Sequence, residues 1–545
     1  MHQAVDRVAK RKEKTMKFYR NPTFAFGFLA LLTAAGPLAA EISVSEIFQN
    51  QMVLQRDVEH PVWGWGEPGE NVNVEFAGQK VSAQTGKDGR WEVRLAPLKA
   101  SATGRTLTIS GAKNRIRFGN VLVGDVWLCS GQSNMEMPFK WGVIGGEEAR
   151  RETEKFPQIR FMRFLKLKTF YPLEHSHNTG WKICNKDNLQ YVSAVAYFFA
   201  REICRETGIP IGLLGNNWSG CYIEPYLSLE SLEKIPELKT FADFVHQVRA
   251  RDTERDFQAL KQWVADSEVR REAGLPLRNP PLVFDPDHLC DKRYVSITTQ
   301  YNAMIAPITR FPIRGCIWYQ GESNANAGEG VEYFHKMRAL IQGWRSAWKQ
   351  EFPFYFVQLS SFGKVEEKPE GEFTWSSVRE MQSRALELPK TGMAVTIDIG
   401  DSANIHPGNK LDVGKRLALW ALKNEYGKTN LCPSGPLYRD MRKEKGGIRI
   451  RFHYAQSGLM VGEKKGIAPV REVPGGRLKQ FAIAGADRKW YWADARIEGS
   501  DVFVSSPHVP DPVAVRYAFR KNPQGANLYN REGLPASPFR TDSWE

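Results

Sequence analysis

The sequence predicts an α/β fold in which a flavodoxin-like, three-layer α/β/α core is flanked by an N-terminal β-sandwich and a C-terminal β subdomain. Between residues 120 and 445, apolar runs of strand length alternate with segments of helical periodicity. Before and after this region the chain consists of short alternating strands separated by turns. A length of 545 residues allows roughly three or four domains, and we place them at 41–119, 120–445 and 446–545.

Residues 41–119 alternate apolar and polar positions in runs bounded by glycine-rich turns, which predicts a β-sandwich. The predicted strands are Pro61–Trp65, Asn71–Phe76, Trp91–Leu95 and Leu107–Ser110. Trp63 and Trp65 could bind carbohydrate, but aromatic side chains dominate small β cores, so packing is the favoured interpretation.

Five apolar runs within residues 120–445 predict parallel strands. They are Val121–Cys129, Ile211–Gly215, Gly315–Trp318, Phe354–Leu359 and Met393–Ile399. Helices are predicted between them, including Ser193–Thr207 and Val331–Trp348. In an open parallel sheet the ligand site lies at the carboxyl ends of the strands. Four of the five runs are followed there by polar or glycine positions, namely Ser133, Gly220, Gln320 and His406.

Two further segments surround this core. The charged segment near residues 227–276 has helical periodicity and is predicted to be an insertion, either a lid or a solvated helical pair. Strand patterning returns in residues 446–545, which predict a β subdomain with an extended tail.

Residues 1–40 have the pattern of a cleaved signal peptide. A basic start precedes an apolar stretch from Phe24 to Leu38, and small residues come before Glu41. This stretch is short for a transmembrane helix and contains Gly36 and Pro37. We therefore expect a secreted or periplasmic protein without stable membrane insertion after cleavage.

The charge distribution argues against a nucleic-acid-binding protein, and the spacing of the cysteines argues against a metal site. Of the formal charge of +14, the leader contributes seven basic and two acidic residues, which leaves about +9 on the mature chain. Bases and acids are interspersed there without a basic block, so no nucleic-acid partner is expected. The seven cysteines form no Cys-Xaa-Xaa-Cys or Cys/His cluster that would predict a metal, and their pairing is open.

A serine and a histidine follow the first and last predicted strands. The octet Gly131–Pro138 contains a Gly-Xaa-Ser turn that points the hydroxyl of Ser133 outward, and His406 lies in a polar turn before the predicted helix Lys410–Leu422. A serine hydroxyl is a weak nucleophile that needs a neutral imidazole to accept its proton. Ser133 and His406 are therefore the candidate nucleophile and base of a hydrolase, although Ser133 could instead only cap a helix.

Six segments in order carry a family resemblance: Met52–Arg56, Trp63–Trp65, Gly124–Glu136, Trp318–Asn324, Ile405–Pro407 and Gly533–Asp542. Together they resemble the sialate O-acetylesterase family of the SGNH/GDSL hydrolase superfamily. The resemblance implies an SGNH arrangement of the sheet and a secreted carbohydrate O-acetylesterase that removes O-acetyl groups from sialic acid. It also implies serine–histidine catalysis without a cofactor or metal, with an O-acetylated sugar or glycan as the partner.

The resemblance further implies roles for the loops at the strand ends. The oxyanion hole would consist of the Ser133 amide, Gly220, and Gln320 or Asn324. The candidate substrate-binding residues are their neighbours in the same motifs, namely Gln132, Asn134, Trp218 and Tyr319.

The third member of a triad is open. Relatives carry an aspartate three or two residues before the histidine, where this chain has Ala403 and Asn404. The remaining candidates are Asp401 on the same loop and Glu322 in the Gln-Gly-Glu motif, of which Glu322 is favoured. A serine–histidine dyad is the other possibility.

Two other functions fit parts of the pattern. Because the serine–histidine machinery acts on the ester and not on the sugar behind it, the substrate could be another acetylated polysaccharide such as xylan. The missing acids, together with Ser219 where relatives have glycine, would also suit a non-catalytic carbohydrate-binding relative.

Overall fold

A computed structural model describes residues 41–250, 253–279, 281, 296–370 and 373–544. The predicted signal peptide at residues 1–40 lies outside these ranges. Among the helices that the structure describes, none is long and apolar enough to cross a membrane. The six cysteines within the described ranges are free thiols, five of them buried.

The N-terminal strands fall into two sheets. Their bounds are β1 Ser43–Val44, β2 Val53–Gln55, β3 His60–Trp65, β4 Asn71–Phe76, β5 Gln79–Gln84, β6 Arg90–Leu95 and β7 Ser101–Ser110. β1, β3 and β6 make one sheet, whereas β4, β5 and β7 join a larger sheet through the next strand, β8 Arg115–Gly131. The predicted boundary at residue 119 therefore falls inside this 17-residue strand. Trp63 is buried.

The five predicted parallel strands lie in one sheet. Besides β8 they are β11 Ile211–Asn217, β12 Gly315–Tyr319, β13 Phe354–Val357 and β14 Thr391–Ala394, in the spatial order β11-β8-β12-β13-β14. Two strands that were not predicted extend the edge, namely β9 Ile159–Arg163, parallel to β11, and β10 Lys182–Ile183, antiparallel to β9. β14 ends five residues before the predicted Ile399, because the chain turns where the Ile399 amide donates to the Thr396 carbonyl.

Helices cover both faces of this sheet. Their bounds are α1 Ser133–Glu136, α2 Gly146–Glu152, α3 Ala194–Thr207, α4 Leu229–Glu233, α5 Lys239–Arg249, α6 Thr253–Glu272, α7 Glu322–Asn326, α8 Glu332–Trp348, α9 Thr374–Arg384 and α10 Lys410–Glu425. Val126 and Leu128 of β8 pack in a core with α8 and α9, whereas Trp127 and Cys129 pack in a second core with α3 and α10. The two-residue period of a strand explains this division, and the mixed α/β class is confirmed.

The two flanking segments have the predicted secondary structure. Helices α4, α5 and α6 occupy the charged segment near residues 227–276. The C-terminal strands are β15 Leu437–Glu444, β16 Gly447–His453, β17 Leu459–Glu463, β18 Arg471–Glu472, β19 Phe481–Ala484, β20 Trp490–Trp492, β21 Asp494–Glu498, β22 Asp501–Ser505, β23 Ala514–Tyr517, β24 Leu528–Asn530 and β25 Phe539–Arg540. They form three small sheets, and an apolar cluster of their own packs between them.

A glycine fixes how β8 ends. Gly131 has φ +135°, and a Cβ at this position would lie 2.1 Å from the carbonyl oxygen of Tyr319 on β12. The next amide, that of Gln132, donates to the same carbonyl at 2.9 Å. Ser133 then opens α1, so the close approach of β8 and β12 sets the position of its side chain.

We expect Gly131→Ala to lower the free energy of unfolding by at least about 2 kcal/mol. The added methyl group would strain the backbone at this positive φ and would push β8 and β12 apart. Gly208→Ala is the matched control. Its φ is also positive, +69°, but a Cβ there meets no atom within 4 Å, so only the backbone cost of about 1 kcal/mol remains. Urea unfolding of both variants measures the difference, and equal losses would contradict this account.

Candidate active site

The structure brings Ser133 and His406 into hydrogen-bond contact. Their side chains are 273 residues apart in sequence, yet the Ser133 hydroxyl donates to Nε2 of His406 over 2.8 Å. Ser133 is 6 % exposed and His406 is half-buried. A serine oxygen this close to an imidazole nitrogen has the geometry for proton transfer to a general base.

The loop before α10 holds His406 through its backbone. The Asp401 carboxylate accepts from the amides of Ala403 and Asn404, and the Asn404 side-chain oxygen accepts from the His406 amide at 2.9 Å. Asn409 then caps α10 by accepting from the Asp412 amide. These short polar side chains replace missing backbone partners in a turn, which fixes where the imidazole lies.

The Asn134 amide connects three loops beneath the serine. Its Nδ2 donates to Glu322 Oε1 at 2.5 Å and to the Ile405 carbonyl at 2.9 Å, and its Oδ1 accepts from Lys410 Nζ at 2.6 Å. Asn134 and Lys410 are wholly buried, and Glu322 nearly so. The residue after Ser133 is therefore hydrogen bonded to the residue before His406.

Burial dominates the electrostatics of this network. It lowers the pKa of Lys410 to about 7, although the Glu322 carboxylate opposes the shift. It raises the pKa of Glu322, opposed by that residue's own amide, by Asn134 and by Lys410. Burial also lowers the pKa of His406, and the positive charge of Lys410 adds to this. The site thus favours the neutral imidazole, which is the form that can accept a proton.

Neither candidate acid hydrogen bonds to the imidazole. Glu322 binds Asn134, and the exposed Asp401 caps its own loop. Within the described residues, no carboxylate forms a hydrogen bond with His406. The geometry is that of a serine–histidine pair in which Glu322 contacts the histidine loop only through Asn134.

The predicted oxyanion donors differ in availability. The Ser133 amide occupies the first turn of α1, where the helix supplies no acceptor, and Gly220 is exposed with φ +73°. In contrast, Gln320 Nε2 already donates to the Cys221 carbonyl and to Asn324, and Asn324 Nδ2 donates to Glu224. Both amide side chains are completely buried, so these bonds assign them to loop support.

Of the four predicted substrate-binding residues, three are buried and one is partly exposed. Tyr319 is fully buried with its ring 5.5 Å from Lys410 Nζ, and Gln132 accepts from the amides of Gly321 and Ser323. Asn134 is also buried, which leaves Trp218 as the partly exposed member. The motif positions that were predicted to touch substrate mostly hold the loops together, because residues flanking a buried nucleophile face the core.

Three residues close to the site were not predicted from the sequence, namely Lys410, Trp141 and Glu136. Lys410 is one of many lysines, and only the fold reveals its burial. Trp141 is 45 % exposed with its ring centroid 6.3 Å from that of His406. Glu136 accepts from both the amide and the hydroxyl of Ser219, at 2.8 and 2.6 Å, so the serine at a position where the resemblance implies glycine has a partner. Among the described residues, no group of three His, Cys, Asp or Glu side chains is placed to hold a metal ion.

Comparisons with known proteins extend this picture. The family profile described as carbohydrate esterase, sialic acid-specific acetylesterase, matches residues 289–423. The sialate O-acetylesterase of Rattus norvegicus is 30% identical over 90% of this chain and 92% of its own length, and that of Mus musculus is 28% identical over 95% and 98%. A solved structure of a carbohydrate acetylesterase from Xanthomonas citri is 34% identical, with a TM-score of 0.76, over 92% of this chain and 100% of that chain.

The sheet, its site and these similarities define a carbohydrate esterase. More particularly, the chain belongs to the sialate O-acetylesterase family.

We expect Lys410→Met to raise the pKa of His406, because the ammonium that disfavours the imidazolium is lost. Since only neutral His406 accepts the serine proton, the acidic limb of the kcat/KM profile should then move to higher pH. An NMR titration of the imidazole and an esterase pH profile measure the same shift. Lys415→Met on the same helix is the control, and an equal displacement in that variant would contradict a specific effect of Lys410.

Proposed function

We propose that this protein removes O-acetyl groups from sialic acid, with Ser133 as the nucleophile and His406 as the general base. The hydrogen bond of 2.8 Å between the Ser133 hydroxyl and His406 Nε2 carries the proposal. That contact forms although Ala403 and Asn404 stand where the resemblance implies an acid, which favours catalysis over a non-catalytic, carbohydrate-binding role. The family to which the chain belongs supports sialic acid as the sugar, in preference to xylan.

The reaction has two stages. The serine oxygen attacks the acetyl carbonyl while His406 Nε2 takes the hydroxyl proton, and the tetrahedral intermediate collapses when the sugar oxygen leaves with that proton. Water then attacks the acetyl-serine with His406 again as base, which releases acetate and restores the hydroxyl. Burial and the positive charge of Lys410 lower the pKa of His406 and so favour the neutral imidazole before each proton transfer.

The amides of Ser133 and Gly220 are the proposed oxyanion donors. Donors already aimed at the developing negative charge contribute on the order of 3 kcal/mol each to the barrier reduction. Gly220 suits this role because its φ is positive and the space around it is open. Gln320 and Asn324 would support the loops behind them.

We also propose that the parallel strands with helices on both faces are the SGNH layering, flanked by the N-terminal and C-terminal β segments. The strand order β11-β8-β12-β13-β14 supports this assignment. The leader-like pattern of residues 1–40 supports secretion or a periplasmic location. Fractionation of cells that express the full chain, with sequencing of the mature N-terminus, tests the location.

Ser133→Ala should reduce kcat by at least about a thousandfold, because the covalent step is lost. The fold should persist, since His406 is the only hydrogen-bond partner of this hydroxyl among the described residues. Release of acetate from O-acetylated sialosides and from acetylated xylan, measured beside circular dichroism, tests both the chemistry and the sugar. Near-normal turnover in a folded variant, or a fluorophosphonate label on another residue, would remove Ser133 from the mechanism.

Glu322→Gln should lower kcat by about tenfold to a hundredfold, with KM little changed, because the Asn134 bridge between the serine and histidine loops loosens. Asp401→Asn is the matched control. Its side-chain oxygen can still accept from the amides of Ala403 and Asn404, so only a mild effect is expected. A kcat defect confined to Asp401→Asn would reverse this assignment, and mild effects in both would show that the pair works without either acid.

A further inference from the structure

A cavity of about 390 Å³ opens at the carboxyl ends of β9 and β11, where Arg163 and Asn217 line it. Glu136 of α1 and Trp141 line one end, and Arg163 and Thr179 line the wall near the carboxyl end of β9. Because the ring of Trp141 also lies 6.3 Å from that of His406, the cavity adjoins the catalytic pair. Its volume lies within the range of small-molecule sites.

The charge on the wall of this cavity is positive. Lys140 and Arg163 both line it, and each lies against the half-exposed ring of Tyr191, at 5.3 and 5.9 Å from the ring centroid. In the described part of the chain, neither cation has a carboxylate partner. The acid that lines the cavity, Glu136, is already bonded to Lys166 at 2.7 Å and to Ser219. Two uncompensated cations on a concave wall attract an anionic group.

The exposed indole of Trp141 supplies the apolar part of such a site. The Trp141 ring is 45 % exposed beside the proposed base. Its flat apolar face is therefore open to the carbon–hydrogen surface of a sugar ring. Trp141 directly follows Lys140 in the chain, and its ring centroid lies 6.3 Å from that of His406. Trp141 therefore links the cavity wall that carries the two cations with the surroundings of His406.

We propose that Lys140 and Arg163 bind the carboxylate of an acidic sugar whose acetyl ester is held at Ser133, with the sugar against Trp141. This inference rests on the proposed function. A sialic acid has its carboxylate on the ring and its side-chain hydroxyls at the opposite end, so its charge must be recognised away from the nucleophile. A neutral acetylated sugar has no carboxylate for the two cations to bind.

The test compares three substrates with the purified full chain. They are an O-acetylated sialoside, the same sialoside with its carboxylate converted to a methyl ester, and p-nitrophenyl acetate. Arg163→Gln and the double variant with Lys140→Gln should lose roughly tenfold or more in kcat/KM on the free acid, mainly through KM. Both variants should match the wild type on the methyl ester and on p-nitrophenyl acetate, and the loss on the free acid should shrink at high salt. Lys87→Gln, in the turn between β5 and β6, removes one distant charge and should change none of these values.

Each outcome separates the two proposals. Unchanged kcat/KM on the free acid, or an equal loss on the methyl ester, overturns the carboxylate site while leaving the esterase intact. A loss in Lys87→Gln as large as in Arg163→Gln would show general charge steering and likewise overturn the site. If the wild-type protein hydrolyses neither the sialosides nor p-nitrophenyl acetate, the proposed function itself fails.

Discussion

The buried amide of Asn134 is the contact on which the rest of the site depends. It joins the loop after β8 to the loop after β12 through Glu322, and to the histidine loop through the Ile405 carbonyl and Lys410. A side-chain amide suits this position because it donates and accepts at once in fixed directions. Three strand ends thereby hold Ser133 and His406 together, and no carboxylate of the described residues hydrogen bonds to the imidazole itself.

Burial gives this network its chemical effect. In bulk water a lysine stays charged and has little effect on the pKa of a nearby histidine. The low dielectric around Lys410 raises the free energy of its charged form and also strengthens the repulsion between that charge and an imidazolium. Glu322 offsets part of that cost and keeps Asn134 oriented. The low pKa of His406 consequently favours the neutral imidazole, which is the form that can accept a proton.

Reaction and selectivity occupy different parts of the molecule. In the proposed mechanism, the Ser133–His406 pair and the amide donors act on an ester that many sugars share. Recognition of the sugar is proposed to fall to Trp141, Lys140 and Arg163, which lie outside the motifs. Such a division lets one catalytic sheet act on different glycans through changes in its surrounding loops.

The sequence by itself determined the mixed α/β class, the five parallel strands, the helices between them, and Ser133 and His406 as a pair, because apolar periodicity and turn chemistry are local properties. It did not determine that β8 extends into the N-terminal strands or that Gln320 and Tyr319 face inward. Nor could it separate Lys410 from the other lysines, or the acid that contacts Asn134 from the one that caps a loop. Those outcomes depend on burial and on which strand ends meet, and only the tertiary structure decides these.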